Sequence, residues 1–433
     1  MLEDYNSRTR KSEALWKKAV TLFPGGVSHN IRNFGMPSCN SYPPFVSHGQ
    51  GGHIWDVDGN EYIDWWMTHY SLILGHNDPD VKKAITDQIE GGHHFGIPNE
   101  PEVRYAEKLK EAVPTLEKMR FTATGSESTQ YAVRLARLFT KRKLVGKSLG
   151  GWHGGNDALT YHIKYPYSNG PFYNGVSFDY NDRESFDEML KKHGEDLAAI
   201  IIEPVIGAGG GIPPVDDFLT YMREETTARD ILLIHDEIIT GFRLRYGTAG
   251  DKIFGSEPDL LTLGKAAAGG MPLGVYGGRE DVMALAGPGA EGGRWVGGGT
   301  FSGHPLTMAA GIAVVDKLRG KSNEYNRLNK MGNSFRERLN EMLKEMNAPL
   351  IGTGHGSINF VSHLIAVLDG PVVTPGQLGS LFDHEKQDLF QGHLIQEGVF
   401  GYHGLGALSF THTNEDIEKT LIAIANAVKK MPK

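Results

Sequence analysis

The chain has 433 residues, 39% hydrophobic and 22% charged, the composition of a folded globular protein and not of a disordered one. Its 44 Lys and Arg against 52 Asp and Glu leave a formal charge of −8 with no long run of either sign, so neither nucleic acid nor a membrane surface is an expected partner. One cysteine, Cys39, cannot form an internal disulfide, and charges run through the first twenty residues where a signal peptide would have an apolar core; a cytoplasmic protein without a membrane span is expected.

In chain order, the periodicity predicts a helix over about Arg8–Leu22, then a stretch rich in Gly and Pro. "HIWDVDGNEYIDW" follows, alternating around an Asp-Gly turn, which predicts a hairpin. From about residue 76 to 320, helical patterns alternate with short apolar runs, which predicts an α/β unit with a mainly parallel sheet. After the helical "GHPLTMAAGIAVVDKLRG" the chain mixes helices with short strands and ends in the amphipathic "NEDIEKTLIAIANAVKK". The expected organisation is an N-terminal segment 1–75, a large domain 76–320 and a C-terminal segment 321–433, the two end segments forming a smaller α+β domain. Glycine is in excess, at 56 residues where about 30 would be ordinary. Many backbone positions are therefore expected to need a positive φ or a close approach to a ligand.

In open α/β sheets ligands collect beyond the carboxyl ends of the strands, so the residues that end each apolar run matter most. "LAAIIIEPV" ends on Glu203, "ILLIHDE" on Asp236 and Glu237, and "DLLTLGK" on Lys265. "KMRFTATGSES" ends in a Gly-Ser turn that opens a helix, and "KLVGKSLGGWHGG" ends on Trp152 and His153. Met singly, each is a cap, a turn or a packing residue. Together they suit one ligand. Lys265 lies among Gly, Ala, Leu and Met, and a lysine desolvated in this way becomes a nucleophile for a carbonyl, which suggests a Schiff base. Pyridoxal 5′-phosphate needs such a lysine. It also needs a carboxylate at its ring nitrogen, for which Asp236 is the candidate, a flat ring partner, Trp152, and a helix N-terminus for its phosphate, Gly125 and Ser126. Phosphate-loop, dinucleotide and metal-ligand spacings are incomplete; the adjacent His93 and His94 belong to no such motif.

The ordered set "TATGSESTQYAVRLAR", "GGWHGG", "LLIHDEIITGFR", "PDLLTLGKAAAGGMPLG" and "GGTFSGHPLTMAA" resembles the class III pyridoxal-phosphate aminotransferases of fold type I. "LFPGGVSHNIRNF", "GGHIWDVDGNEYID" and "LILGHNDP" extend the likeness over nearly the whole chain, nearest to the glutamate-1-semialdehyde 2,1-aminomutase branch. The resemblance implies that Lys265 carries the cofactor and then moves the proton, and that Asp236 holds the ring nitrogen. It implies Ile238 on the ring face opposite Trp152 and Glu203 near the phenolic oxygen. Gly125 and Ser126 would hold the phosphate, with Thr300 reaching it from the other subunit of a homodimer. Arg32 aligns with an arginine that holds the substrate carboxylate, a role suited to a guanidinium fork. Arg243 is a weaker candidate whose ordinary reading is an ion pair near the sheet edge.

Departures from the aminomutase branch favour a different outcome. The small-residue gating loop of that branch is replaced by "GGNDALTYHIKYPYSNGPFYNG", and Gly404 stands roughly where it has a glutamate. His69 replaces a Trp, and Met67, His69 and Tyr70 are expected to line an apolar, aromatic pocket. The expected activity is therefore an aminotransferase that moves an amino group between an amino acid and a keto acid. An aminomutase, or another isomerase or racemase on the same scaffold, is the alternative. A non-catalytic relative is a remote one, disfavoured by the presence of both Lys265 and Asp236.

Overall fold

The computed structural model describes residues 2–163, 165, 175–294, 296–368, 370–402 and 404–432. Its centre is a seven-stranded sheet. The strand order is Lys118–Thr122, Gly274–Gly278, Leu260–Gly264, Leu232–Asp236, Leu197–Ile202, Leu144–Ser148, Gly175–Phe178. Every residue of Leu197–Ile202, Leu232–Asp236 and Leu260–Gly264 is buried. Parallel strands covered on both faces need apolar side chains on both, which is why these segments read as unbroken apolar runs without alternation.

Six strands run parallel, and Gly274–Gly278 is antiparallel to both of its neighbours. The apolar-run reading does not include this strand, because "GVYGG" has too few large side chains to signal one. Its direction follows from the connection. A parallel crossover needs a dozen or more residues, and only the short segment 265–273 joins it to Leu260–Gly264.

The expected first helix is two, Glu3–Arg8 and Arg10–Leu22. They part at buried Thr9, whose Oγ1 donates to Tyr5 O at 2.8 Å. The expected hairpin forms between His53–Asp56 and Glu61–Asp64, its turn closed by Asp56 Oδ1 accepting from the N–H of Asp58 and Asn60. Val399–Phe400 pairs in parallel with Glu61–Asp64, so residues from both ends of the chain share a four-stranded sheet. A third sheet joins Leu350–His355, Ile358–His363 and Gly406–Ala407. Among the described residues no helix is long and apolar enough to cross a membrane, and no group of His, Cys, Asp or Glu could hold a metal ion.

Candidate active site

The strand ends meet. Asp236, at the end of Leu232–Asp236, is buried and held from three sides: Oδ2 accepts from His153 Nδ1–H at 2.8 Å, and Oδ1 from Thr262 Oγ1–H at 3.0 Å and the Ile238 N–H at 3.2 Å. Burial lowers the His153 pKa and keeps the imidazole neutral, with Asp236 opposing, so Nδ1 carries the proton and buried Nε2 is left without a partner. The sequence reading puts His153 at the rim without a role and passes over Thr262. The signal for Thr262 was its standing as the one hydroxyl in the apolar strand "LLTLG".

Glu203 lies one strand over. Its Oε1 accepts from the Trp152 N–H and its Oε2 from the Gly207 N–H, both at 3.0 Å. Burial, with repulsion from Asp236, pushes its carboxyl up to about 8. Glu237, the other carboxylate at this rim, turns away from Asp236 because successive side chains leave a strand on opposite faces. It accepts from Thr240 Oγ1 and from the N–H groups of Ala249 and Gly250, so it ties down a loop.

Lys265 follows the strand Leu260–Gly264 with φ +43°, a left-handed value that is strained for a side-chain-bearing residue and common at functional sites. Desolvation lowers its pKa, while attraction to Asp236 and Glu203 opposes the change. Its ammonium makes no hydrogen bond or ion pair with any described residue, so the amine of a half-buried lysine stands near two acidic groups with its own valence open.

The helix Gly125–Thr140 begins beside this group. Thr124 caps it through Glu127 N–H, and Ser128 N–H takes the Thr124 carbonyl. The N–H groups of Gly125 and Ser126 have no protein acceptor among the described residues and remain as anion donors. Two glycines keep the approach open. A Cβ on Gly154 (φ +93°) would stand 2.5 Å from Ser126 Oγ, and one on Gly125 would stand 2.5 Å from Ile238 Cδ1. Half-buried Ile238 therefore lies against the helix start, and Trp152, 37% exposed, leaves the loop that Glu203 holds. An open amine, a triply held carboxylate, an anion cradle and a part-exposed indole fit pyridoxal phosphate at its aldehyde, ring nitrogen, phosphate and ring.

The remaining sequence-derived residues lie farther out. Arg32 is exposed in the short turn Asn30–Asn33 and does not line the neighbouring cavity of about 540 Å³, although Asn30, Ile31, Asn33 and Phe34 do. Met67, His69 and Tyr70 do not line it. Its aromatic wall of Phe34, Phe360 and Tyr402 is backed by Tyr70, stacked on Phe360, and by Trp66, edge-on to Phe34 and Tyr402. Met67 to Tyr70 all have φ between +42° and +67°, a left-handed turn closed by Tyr70 N–H to Trp66 O, in which Met67 and Tyr70 are buried, His69 is half-buried and Thr68 is exposed.

Arg243 braces the backbone and does not form the expected ion pair, and its buried Nη2 is left without a partner among the described residues. It is fully buried, with Nε donating to Tyr70 O and Nη1 to Leu408 O, both at 2.8 Å, and it pairs with no carboxylate among the described residues. It pins that left-handed turn. Thr300 is exposed in a turn. Part of the replaced gating segment, residues 164 and 166–174, lies outside the described residues.

Residues 37–358 match the class III aminotransferase family. The chain is 37% identical over 440 residues to glutamate-1-semialdehyde 2,1-aminomutase of Thermodesulfovibrio yellowstonii, spanning 98% of this chain and 100% of that one. Its fold is similar to an omega-transaminase from Sphaerobacter thermophilus, with TM-score 0.86, 30% identity and coverage of 96% and 97% of the two chains. A transaminase solved with PLP bound is equally similar, with TM-score 0.86, 30% identity and 98% coverage of both. With the lysine, carboxylate and anion cradle described above, these likenesses establish that the chain belongs to the class III aminotransferases, pyridoxal-phosphate enzymes of fold type I.

Proposed function

We propose that this enzyme takes the amino group from an amino acid, α or β, whose carboxylate is held by Arg32, and passes it to a separate keto acid. One observation carries this reading over an internal shift. Gly404 has φ +82°, and a Cβ there would stand 2.1 Å from Val361 O, so the backbone leaves no room for the glutamate that the aminomutase branch is expected to place there. Without that carboxylate, less holds the substrate in the site between the two halves of an internal exchange. The names of the relatives at about 37% identity favour the second reading, glutamate-1-semialdehyde 2,1-aminomutase.

When bound, the cofactor supplies an electron sink for the carbon that loses its proton. The roles of the chain's own groups follow from their surroundings. Lys265 Nζ is the atom that attaches the cofactor. Once displaced, its amine, held down in pKa by burial, takes the substrate proton and returns it. The Asp236 carboxylate, held by three donors, would keep a proton on the cofactor's ring nitrogen. Trp152 and Ile238 would enclose the ring, Glu203 would serve its phenolic oxygen, and the N–H groups of Gly125 and Ser126 with the partner subunit's Thr300 would hold the phosphate.

The test is to add α- and β-amino acids singly to the holoenzyme, with no keto acid present, and to assay the products. Release of one keto product per active site identifies the donor and supports transfer. Catalytic conversion to an isomer with no free keto acid overturns it in favour of the aminomutase.

A further inference from the structure

Lys147, in the strand Leu144–Ser148, is fully buried and forms no ion pair with any described residue. Burying an amine without a counter-ion is costly, and a methionine of similar length would fill the space without that cost. The amine has a specific partner: Nζ donates to the Gly151 carbonyl at 2.8 Å and sits 4.9 Å over the Tyr161 ring. Burial pushes its pKa down to about 7, and a neutral amine still offers that N–H.

The Gly151 carbonyl and the Trp152 N–H are the two ends of one planar peptide unit. Lys147 holds the first, and Glu203 Oε1 accepts from the second at 3.0 Å. Glu203 is itself fixed through Gly207 N–H. With both polar ends held, the peptide cannot rotate about the line joining its Cα atoms, and the direction of the Trp152 Cα–Cβ bond is set. The segment "GGWHGG" needs such a clamp, because four of its six residues are glycines with wide backbone freedom.

We propose that Lys147 is a positioning residue: with Glu203 it clamps the Gly151–Trp152 peptide and so aims the indole of Trp152 at the face of the cofactor ring. This rests on the reading of Trp152 as the ring partner.

The experiment is a double-mutant cycle on the holoenzyme, reading the rate of cofactor loss and the visible circular dichroism of the bound cofactor. Lys147→Met is expected to speed cofactor loss about tenfold and weaken the dichroic band in the wild-type background, and to change neither by more than about twofold when Trp152 is already Ala. Equal factors in both backgrounds overturn the clamp and leave Trp152 as ring partner. No effect of Trp152→Ala alone on either readout overturns the ring-partner role, and the clamp with it. Should Lys147→Met not fold, Lys147→Gln enters the same cycle, and acrylamide quenching of Trp152, taken as the difference from Trp152→Phe, must rise for the proposal to stand.

Discussion

Glu203 shows how much of this site rests on the burial of charge. Its carboxyl is raised from 4.5 to about 8, so the folded chain holds a proton that the unfolded chain has released. The stability it contributes is full below about pH 4.5 and is lost as pH rises through about 8. Glu203→Gln removes that titration. Its melting temperature relative to wild type should therefore climb across this window, on top of a constant loss from setting an amide N–H₂ against one of the two backbone donors. A difference that stays flat with pH would show that Glu203 titrates normally. Gly154 makes a separate prediction. With φ +93° and Ser126 Oγ 2.5 Å from a would-be Cβ, Gly154→Ala should cost about 1–3 kcal/mol of stability and weaken cofactor retention, measured by denaturant titration and dialysis. Lys265 was legible in the sequence because an amine among small apolar residues has few structural uses. His153 and Thr262 were less legible, since their work consists of holding Asp236, and only proximity reveals it.

Among the elements, the turn Met67–Tyr70 stores the most conspicuous strain. Left-handed backbone costs roughly 1–2 kcal/mol per residue with a side chain, and exposed, β-branched Thr68 (φ +51°) has no packing in return. Thr68→Gly should therefore raise stability by about 0.5–1 kcal/mol, after the backbone entropy that glycine adds to the unfolded chain. A loss of stability would mean that Thr68 makes interactions that outweigh the strain. No sequence pattern announces this turn, because none of its four residues is a glycine. It is over-determined by its surroundings, with Arg243 gripping the Tyr70 carbonyl and Phe360 stacked on its ring. The apolar strands, by contrast, were plain in the sequence, since burial on both faces leaves a continuous apolar run. The antiparallel strand Gly274–Gly278 was not, because its glycines serve close approach: a Cβ on Gly278 would stand 2.2 Å from Asp259 O.

For the whole molecule, we propose that residues 76–320 form the cofactor domain, that segments 1–75 and 321–433 form the smaller one, and that two copies of the chain complete each other's sites. Exposed Phe301 adjoins the expected phosphate contact Thr300 in sequence and stands 5.6 Å from the ring of His94, next to which exposed Phe95 and Ile97 follow in the chain. A second copy would cover them. Sedimentation should give a dimer, and Phe301→Glu should yield monomers that lose the cofactor; a monomeric wild type with full activity would refute the shared site. The sequence by itself determined the fold class and the cofactor, because chemistry at strand ends and unbroken apolar runs are local properties of the chain. Only the tertiary structure decided that Arg243 is a buried brace, that Tyr70 stacks on Phe360 from a left-handed turn, and that Gly404 admits no side chain. Each of these depends on backbone conformation and on neighbours more than 40 residues away, which no local pattern encodes.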